Sequence, residues 1–264
     1  MRHAILDLTK RWIQRLKYIY YPARWDLMKY TFVSTLVGNQ SRVLDVGCSD
    51  GYGSSIISNA GVNTVTGGDI SPKAVEYAKQ HYTHEGLNFL CFDATNLPFP
   101  SDDFDVVVAL EIIEHLPEIE QKKLLSECVR ILRNGGLIIC STPNKRTYST
   151  GNVGGLINLN PGHVKELDIT DFHSLLSEYC VDITLYGQWF MSPVEIIAHK
   201  GFLSACLTVE KFTSCLGKDI RIGSFIYRII VSLVTSNKCF KVLPLSENCS
   251  KQPLDVITIG RVVK

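Results

Sequence analysis

RVLDVGCSDGYG, residues 42–53, decides how the rest of the chain reads. Residues 42–46 form an apolar, β-branched run with Asp45 inside it, which reads as a buried parallel strand, and residues 47–53 form a glycine-dense turn. A strand that enters such a turn and leaves it as a helix presents backbone N–H groups and a helix N-terminus to a ligand. Asp69, in VTGGDIS, closes the next apolar run, 18 residues past Gly51. An acid at that separation in a βαβ unit accepts hydrogen bonds from ribose hydroxyls, so the expected ligand is a nucleoside. The glycine spacing narrows the choice. Gly47, Gly51 and Gly53 give G-x-x-x-G-x-G rather than the dinucleotide pattern G-x-G-x-x-G, with acids at Asp45 and Asp50. Carboxylates beside the loop repel a pyrophosphate and suit a cationic or zwitterionic ligand.

Working outward, GGDIS (67–71), FDATNLPF (92–99), DFDVVVALEIIEHLP (103–117), RILRNGGLIICSTPN (130–144) and NPGHVKE (160–166) follow in order. With the opening stretch they resemble the class I S-adenosylmethionine-dependent methyltransferases over about residues 43–188, and the ordered set is far more specific than any one motif. Ser49 departs from the pattern, standing where the family usually has the middle glycine of the loop. The resemblance implies an α/β, Rossmann-like doubly wound domain with a seven-stranded, mainly parallel sheet and one antiparallel strand near its end. It implies S-adenosyl-L-methionine as cofactor, held at Asp45, Gly47, Cys48, Gly51, Asp69, Ile70, Asp93, Ala94 and Leu110. In that assignment Asp93 accepts the adenine amine, and Cys48 is a small loop residue rather than a nucleophile.

Glu111, Glu114 and His115 sit at i, i+3 and i+4, which puts three side chains on one face if Glu111 begins a helical turn. Two carboxylates and an imidazole at the end of a middle strand can hold a divalent cation, and His163 can add a fourth ligand. The E-x-x-E-H pattern with a later His resembles the metal-assisted O-methyltransferases of quinone biosynthesis and of small-RNA 3′ ends. That likeness implies a cation on Glu111, Glu114, His115 and His163 that lowers the pKa of an acceptor hydroxyl. Two other readings stay open: polar residues facing the substrate, and structural capping. His115 and His163, with Glu114 beside them, are the candidates for taking the acceptor's proton, because an imidazole titrates near neutral pH.

The remaining chain frames this core. Residues 1–40 carry Trp12, Tyr18, Tyr20, Tyr21, Trp25 and Tyr30 among lysines and arginines. Ile5, Leu8, Trp12, Leu16 and Ile19 keep helical spacing, so a basic amphipathic helix is expected, broken near Pro22. It either packs on the sheet edge or over the cofactor mouth, or meets anionic lipid or a phosphate-bearing substrate. Residues 41–264 read as the methyltransferase domain, with helical insertion at about 192–245 before a last strand, DVITIGRV (255–262). That insertion reads as a substrate lid or wall, with a dimer face or membrane-surface patch as alternatives. FIYRIIVSLV (225–234) is too short to span a bilayer.

At 264 residues and 45% hydrophobic content, one α/β domain is the default. A net charge of +1, from 27 basic and 26 acidic residues, provides no broad field for nucleic acid. Nine cysteines without a C-x-x-C pair, and no signal-peptide pattern, read as reduced thiols of a cytoplasmic protein, with membrane contact at most peripheral. The acceptor is not written in the motifs. A glycan or other small-molecule hydroxyl comes first by subgroup likeness, then a quinone-type phenol, then an RNA ribose. A cofactor-binding partner subunit without catalysis is the reading of another class. Oligomeric state is not legible.

Overall fold

The computed structural model describes residues 25–148, 162–191, 242–245 and 252–264. The amphipathic segment up to Pro22, nearly all of the loop 147–161 and most of the 192–245 insertion lie outside the described residues. The described elements run α1 (Trp25–Ser34), β1 (Arg42–Val46), α2 (Tyr52–Asn59), β2 (Thr64–Asp69), α3 (Pro72–His81), β3 (Leu87–Cys91), β4 (Phe104–Leu110), a 3₁₀ turn (Ile113–His115), α4 (Glu118–Ile131), β5 (Leu132–Pro143), α5 (Lys145–Tyr148), α6 (Ile169–Ser177), β6 (Val181–Met191), β7 (Val242–Pro244) and β8 (Gln252–Arg261).

The sheet order is β3-β2-β1-β4-β5-β8-β6-β7. β3, β2, β1, β4 and β5 pair in parallel, and β8 is antiparallel to both β5 and β6. Seven strands match the expected count. The eighth, β7, pairs antiparallel with β6 at the edge and lies within the stretch expected to be helical.

Alternate residues of the central strands feed two separate cores, because successive side chains of a strand leave opposite faces. Leu44, Val46, Val107 and Ala109 pack with Leu124, Leu125, Phe172 and Leu176 on one face. Val43, Val106 and Val108 pack with Val33, Ile57, Val75 and Ala78 on the other. Covering both faces is what turns these strands into unbroken apolar runs. Strand order reverses between β1 and β4, and in sheets of this kind ligands bind at such a point, outside the carboxyl ends of the strands.

Local chemistry sets the element ends. Ser71 accepts the Ala74 N–H and Pro72 follows it, as the sequence predicts. At α6 the cap is Asp168, which accepts the Thr170 and Asp171 N–H groups. The RNGG stretch does not separate helix from strand: α4 ends at Ile131, β5 begins at Leu132, and register shifts between Phe104 and Val106. Gly135 supplies the left-handed residue, at φ +80°, within that irregularity. No described helix is long and apolar enough to cross a membrane.

Candidate active site

The glycine loop is fastened to β2. Gly47 and Cys48 donate their N–H groups to the Gly68 carbonyl at 2.8 and 2.9 Å. Asp69 faces the loop: one carboxylate oxygen accepts the Ser49 N–H at 3.0 Å and the other the Ser71 N–H at 2.9 Å. Ser49 takes the left-handed conformation, φ +50°, that the family's usual glycine would adopt more easily. Gly51, at φ +84°, caps α2, and a Cβ there would lie 2.6 Å from the Ala78 Cβ and 2.8 Å from the Phe89 ring. A Cβ on Gly53 would fall 2.0 Å from the Tyr30 ring, so α1 closes directly over the start of α2.

The expected cofactor residues divide into two groups. Ile70 is 72% exposed beside Asp69, which leaves an apolar surface open for a purine ring. Asp93 is exposed, and its Oδ1 accepts the Thr95 N–H and hydroxyl, so it caps a turn at the same rim; Ala94 is half-buried beside it. Asp45, Cys48 and Leu110 are buried instead. Asp45 does not open onto the loop surface: it accepts hydrogen bonds from Ser54 Oγ at 2.6 Å and Tyr30 OH at 3.3 Å, and supports the loop from beneath. Burial pushes its carboxyl up to about 6. Burial also pushes the Cys48 thiol far above the ordinary thiol range, which leaves it a filler residue. A rim with a positioned acid, an apolar flank and a glycine at the helix start has the chemistry to hold a nucleoside.

The EIIEH stretch is corrected. Glu111 does not begin the helical turn: it sits at φ +53°, ahead of the 3₁₀ turn, and its N–H donates to Ser141. Glu114, His115 and His163 come together without it, each with one ligating atom within 4.8 Å of the others. Both histidine Nε2 atoms lie 4.0 Å from Glu114 Oε1, and the rings meet edge to face at 4.9 Å. His115 Nδ1 lies 2.8 Å from the Gly162 carbonyl and His163 Nδ1 lies 2.9 Å from Glu166 Oε1. Both neighbours are acceptors, so each Nδ1 donates to its neighbour and each Nε2 lies on the Glu114 side of its ring. The NPGHVKE segment is sewn to the turn by the Val164 and Lys165 N–H groups on the Glu114 carbonyl. Gln121, buried on α4, reaches the Ile113, Leu116 and Lys165 carbonyls. Glu114 is itself buried; burial first, then the Glu111 charge, holds its carboxyl well above the usual range, against the opposing Thr142 hydroxyl and Lys29.

Sequence reasoning missed the lysine that governs Glu111. Lys29 on α1 is fully buried, with Nζ 2.8 Å from Glu111 Oε1, 3.0 Å from Asp255 Oδ2 and 3.8 Å from Asp26 Oδ1. Ser141 Oγ donates to the same Glu111 oxygen at 2.6 Å. Burial pushes Asp255 up to about 7, with Lys29 pulling against it. No local signal marks Lys29, because its two nearest partners are distant in sequence: Glu111 just after β4 and Asp255 in β8.

Known proteins carry the same pieces. Residues 44–140 match the family described as a methyltransferase domain. A protein named a probable S-adenosylmethionine-dependent methyltransferase of Mycolicibacterium smegmatis is 36% identical over 134 residues, 51% of this chain and 49% of that one. A ubiquinone biosynthesis O-methyltransferase of Coxiella burnetii is 32% identical over 105 residues, 39% of this chain and 44% of that one. The chain thus spans about half the length of the curated relatives it matches. In fold it is similar to an S-adenosylmethionine-dependent methyltransferase from Archaeoglobus fulgidus, with TM-score 0.59 and 15% identity over 95% of this chain and 99% of that one. The loop geometry, the sheet order and these matches agree: residues 44–140 match a methyltransferase domain, and the chain is similar in sequence and in fold to S-adenosylmethionine-dependent methyltransferases.

Proposed function

We propose that this protein transfers the methyl group of S-adenosylmethionine to a hydroxyl of a small-molecule or glycan acceptor. The observation that carries the reading is that two sites follow the carboxyl ends of the neighbouring parallel strands β1 and β4: the loop held by Asp69, whose Gly47 abuts Ile112, and the Glu114–His115–His163 cluster. In an in-line displacement the acceptor oxygen bonds to the methyl carbon as the carbon–sulfur bond breaks, and the hydroxyl proton leaves to a base. The protein's work is alignment and acceptance of that proton. His115, whose side chain is 40% exposed beside the buried Glu114, is the group best placed to meet an acceptor arriving from solvent. His163 and Glu166 orient the wall behind it.

A metal-assisted form of the same reaction is favoured by one specific feature, the convergence of a buried carboxylate and two imidazoles whose Nδ1 atoms are already engaged. Glu114, His115 and His163 would hold the ion, which when bound supplies a lowered pKa at the acceptor hydroxyl. The printed name of the Coxiella relative, an O-methyltransferase, supports a hydroxyl acceptor, and a quinone-type phenol is the second acceptor class.

Calorimetry with S-adenosylmethionine, paired with a radiolabelled-methyl screen of lipid, glycan and RNA fractions, tests the proposal. Asp69→Ala is expected to weaken cofactor binding by about 10- to 100-fold, the worth of one or two charge-assisted hydrogen bonds. His115→Ala is expected to keep cofactor affinity within about twofold and to lower turnover about 10²- to 10⁴-fold. Equal loss of cofactor affinity in both variants would refute the division of roles, and no labelled product in any fraction would favour a binding subunit.

A further inference from the structure

We propose that the cation site is a three-ligand centre of Glu114 Oε1, His115 Nε2 and His163 Nε2, suited to a first-row transition ion rather than Mg²⁺, and that Lys29 keeps Glu111 out of it. The inference rests on the metal-assisted reading and goes beyond it by assigning the ion class and a role for Lys29.

Three observations carry it. The ligating atoms of Glu114, His115 and His163 already lie within 4.8 Å of one another, and the two Glu114–histidine separations are 4.0 Å. An ion about 2.1 Å from each ligand in a tetrahedral arrangement sets ligands about 3.4 Å apart, so the site closes if the Glu114–histidine separations shorten by about 0.6 Å and the widest separation by up to about 1.4 Å. Next, the donor set is two imidazoles and one carboxylate, with both rings fixed by Gly162 and Glu166. Imidazole suits Zn²⁺, Fe²⁺ and Co²⁺, whereas Mg²⁺ demands an octahedron of oxygens. Finally, Glu111 belongs to another network. Its Oε1 holds both the Lys29 ammonium and the Ser141 hydroxyl. Lys29 is fully buried and also held by Asp255, so it cannot swing away without losing that partner inside the protein. A fixed ammonium thus satisfies the carboxylate that would otherwise be a fourth ligand. The half-exposed His115 side leaves coordination positions open toward an acceptor.

The test is Co²⁺ titration of chelator-treated protein, followed by calorimetry and by visible absorption, whose intense bands mark four- or five-coordinate cobalt. Wild type is expected to take one equivalent with intense bands, and excess Mg²⁺ to leave them in place. Glu111→Gln is expected to bind Co²⁺ within about threefold of wild type, while Glu114→Gln and His163→Ala lose about 100-fold or more. His115→Ala, on the exposed side, serves where His163→Ala does not fold. Lys29→Met, by freeing Glu111, is expected to tighten Co²⁺ binding about tenfold. A Glu111→Gln loss as large as that of Glu114→Gln overturns the inference, as do weak octahedral bands or displacement by Mg²⁺. Wild type that takes up no Co²⁺ overturns both this and the metal-assisted reading, while cofactor calorimetry separately judges the methyl-transfer proposal.

Discussion

Replacing Lys29 by Met removes the one ammonium between Glu111 and Asp255, and the cost should depend on pH in a way set by Asp255. If both carboxylates stayed charged and unpaired, the penalty would be on the order of 3–5 kcal/mol. Neither needs to. Glu111 is 27% exposed and keeps the Ser141 hydroxyl, so water replaces part of what the lysine provided. Asp255 is buried, but with its carboxyl at about 7 it escapes by protonation. At pH 8 that proton costs on the order of 1 kcal/mol, and at pH 6, below the group's value, it costs next to nothing. The sign follows. Asp255 has a folded pKa above its unfolded value, so its contribution to stability is fully present below the unfolded value and is lost as pH rises toward 7. In wild type the loss stops near pH 7; in Lys29→Met the folded pKa is higher still, and the loss continues. Urea unfolding at pH 6 and pH 8, at constant ionic strength, is expected to give a Lys29→Met penalty about 1 kcal/mol larger at pH 8. Adding Asp255→Asn should erase that difference. A penalty equal at the two pH values, or larger at pH 6, would refute the reasoning.

Asp45 offers a second titration with the same sign. Burial raises its carboxyl to about 6, so wild-type stability should fall as pH rises from about 4 to 6, by on the order of 3 kcal/mol. Asp45→Asn should make that segment of the stability curve shallower and leave the Asp255 part of the slope, since the Ser54 hydroxyl can turn to accept from the amide; an unchanged slope would refute the Asp45 share. Gly51→Ala should destabilise by about 2–4 kcal/mol, combining a left-handed backbone with a Cβ 2.6 Å from Ala78, and lower cofactor affinity along with the melting temperature. A melting temperature within about 2 °C of wild type would mean the loop relaxes freely.

By itself, the sequence determined what depends on local spacing. Short apolar runs specify β1, β2 and β4 because a strand buried on both faces admits few polar residues. The acid after β2 and the glycines after β1 are read from their separation along the chain, and Ser71–Pro72 announces α3 by capping chemistry alone. Tertiary structure decided everything that depends on partners distant in sequence. Asp45 looked like a ligand contact because it borders the loop, but Tyr30 from α1 and Ser54 from α2 claim both its oxygens. Glu111 shares the helical spacing of Glu114 and His115, yet its positive φ and a lysine 82 residues earlier draw it into another cluster. His163 was legible as a residue, but only the hydrogen bonds from its segment to the Glu114 carbonyl bring its ring beside His115. Spacing along one helix or strand fixes which side chains share a face. Which carboxylate meets a metal and which meets an ammonium is set by charge neutralisation in a buried crevice, and that requires the whole sheet and the helix that closes over it.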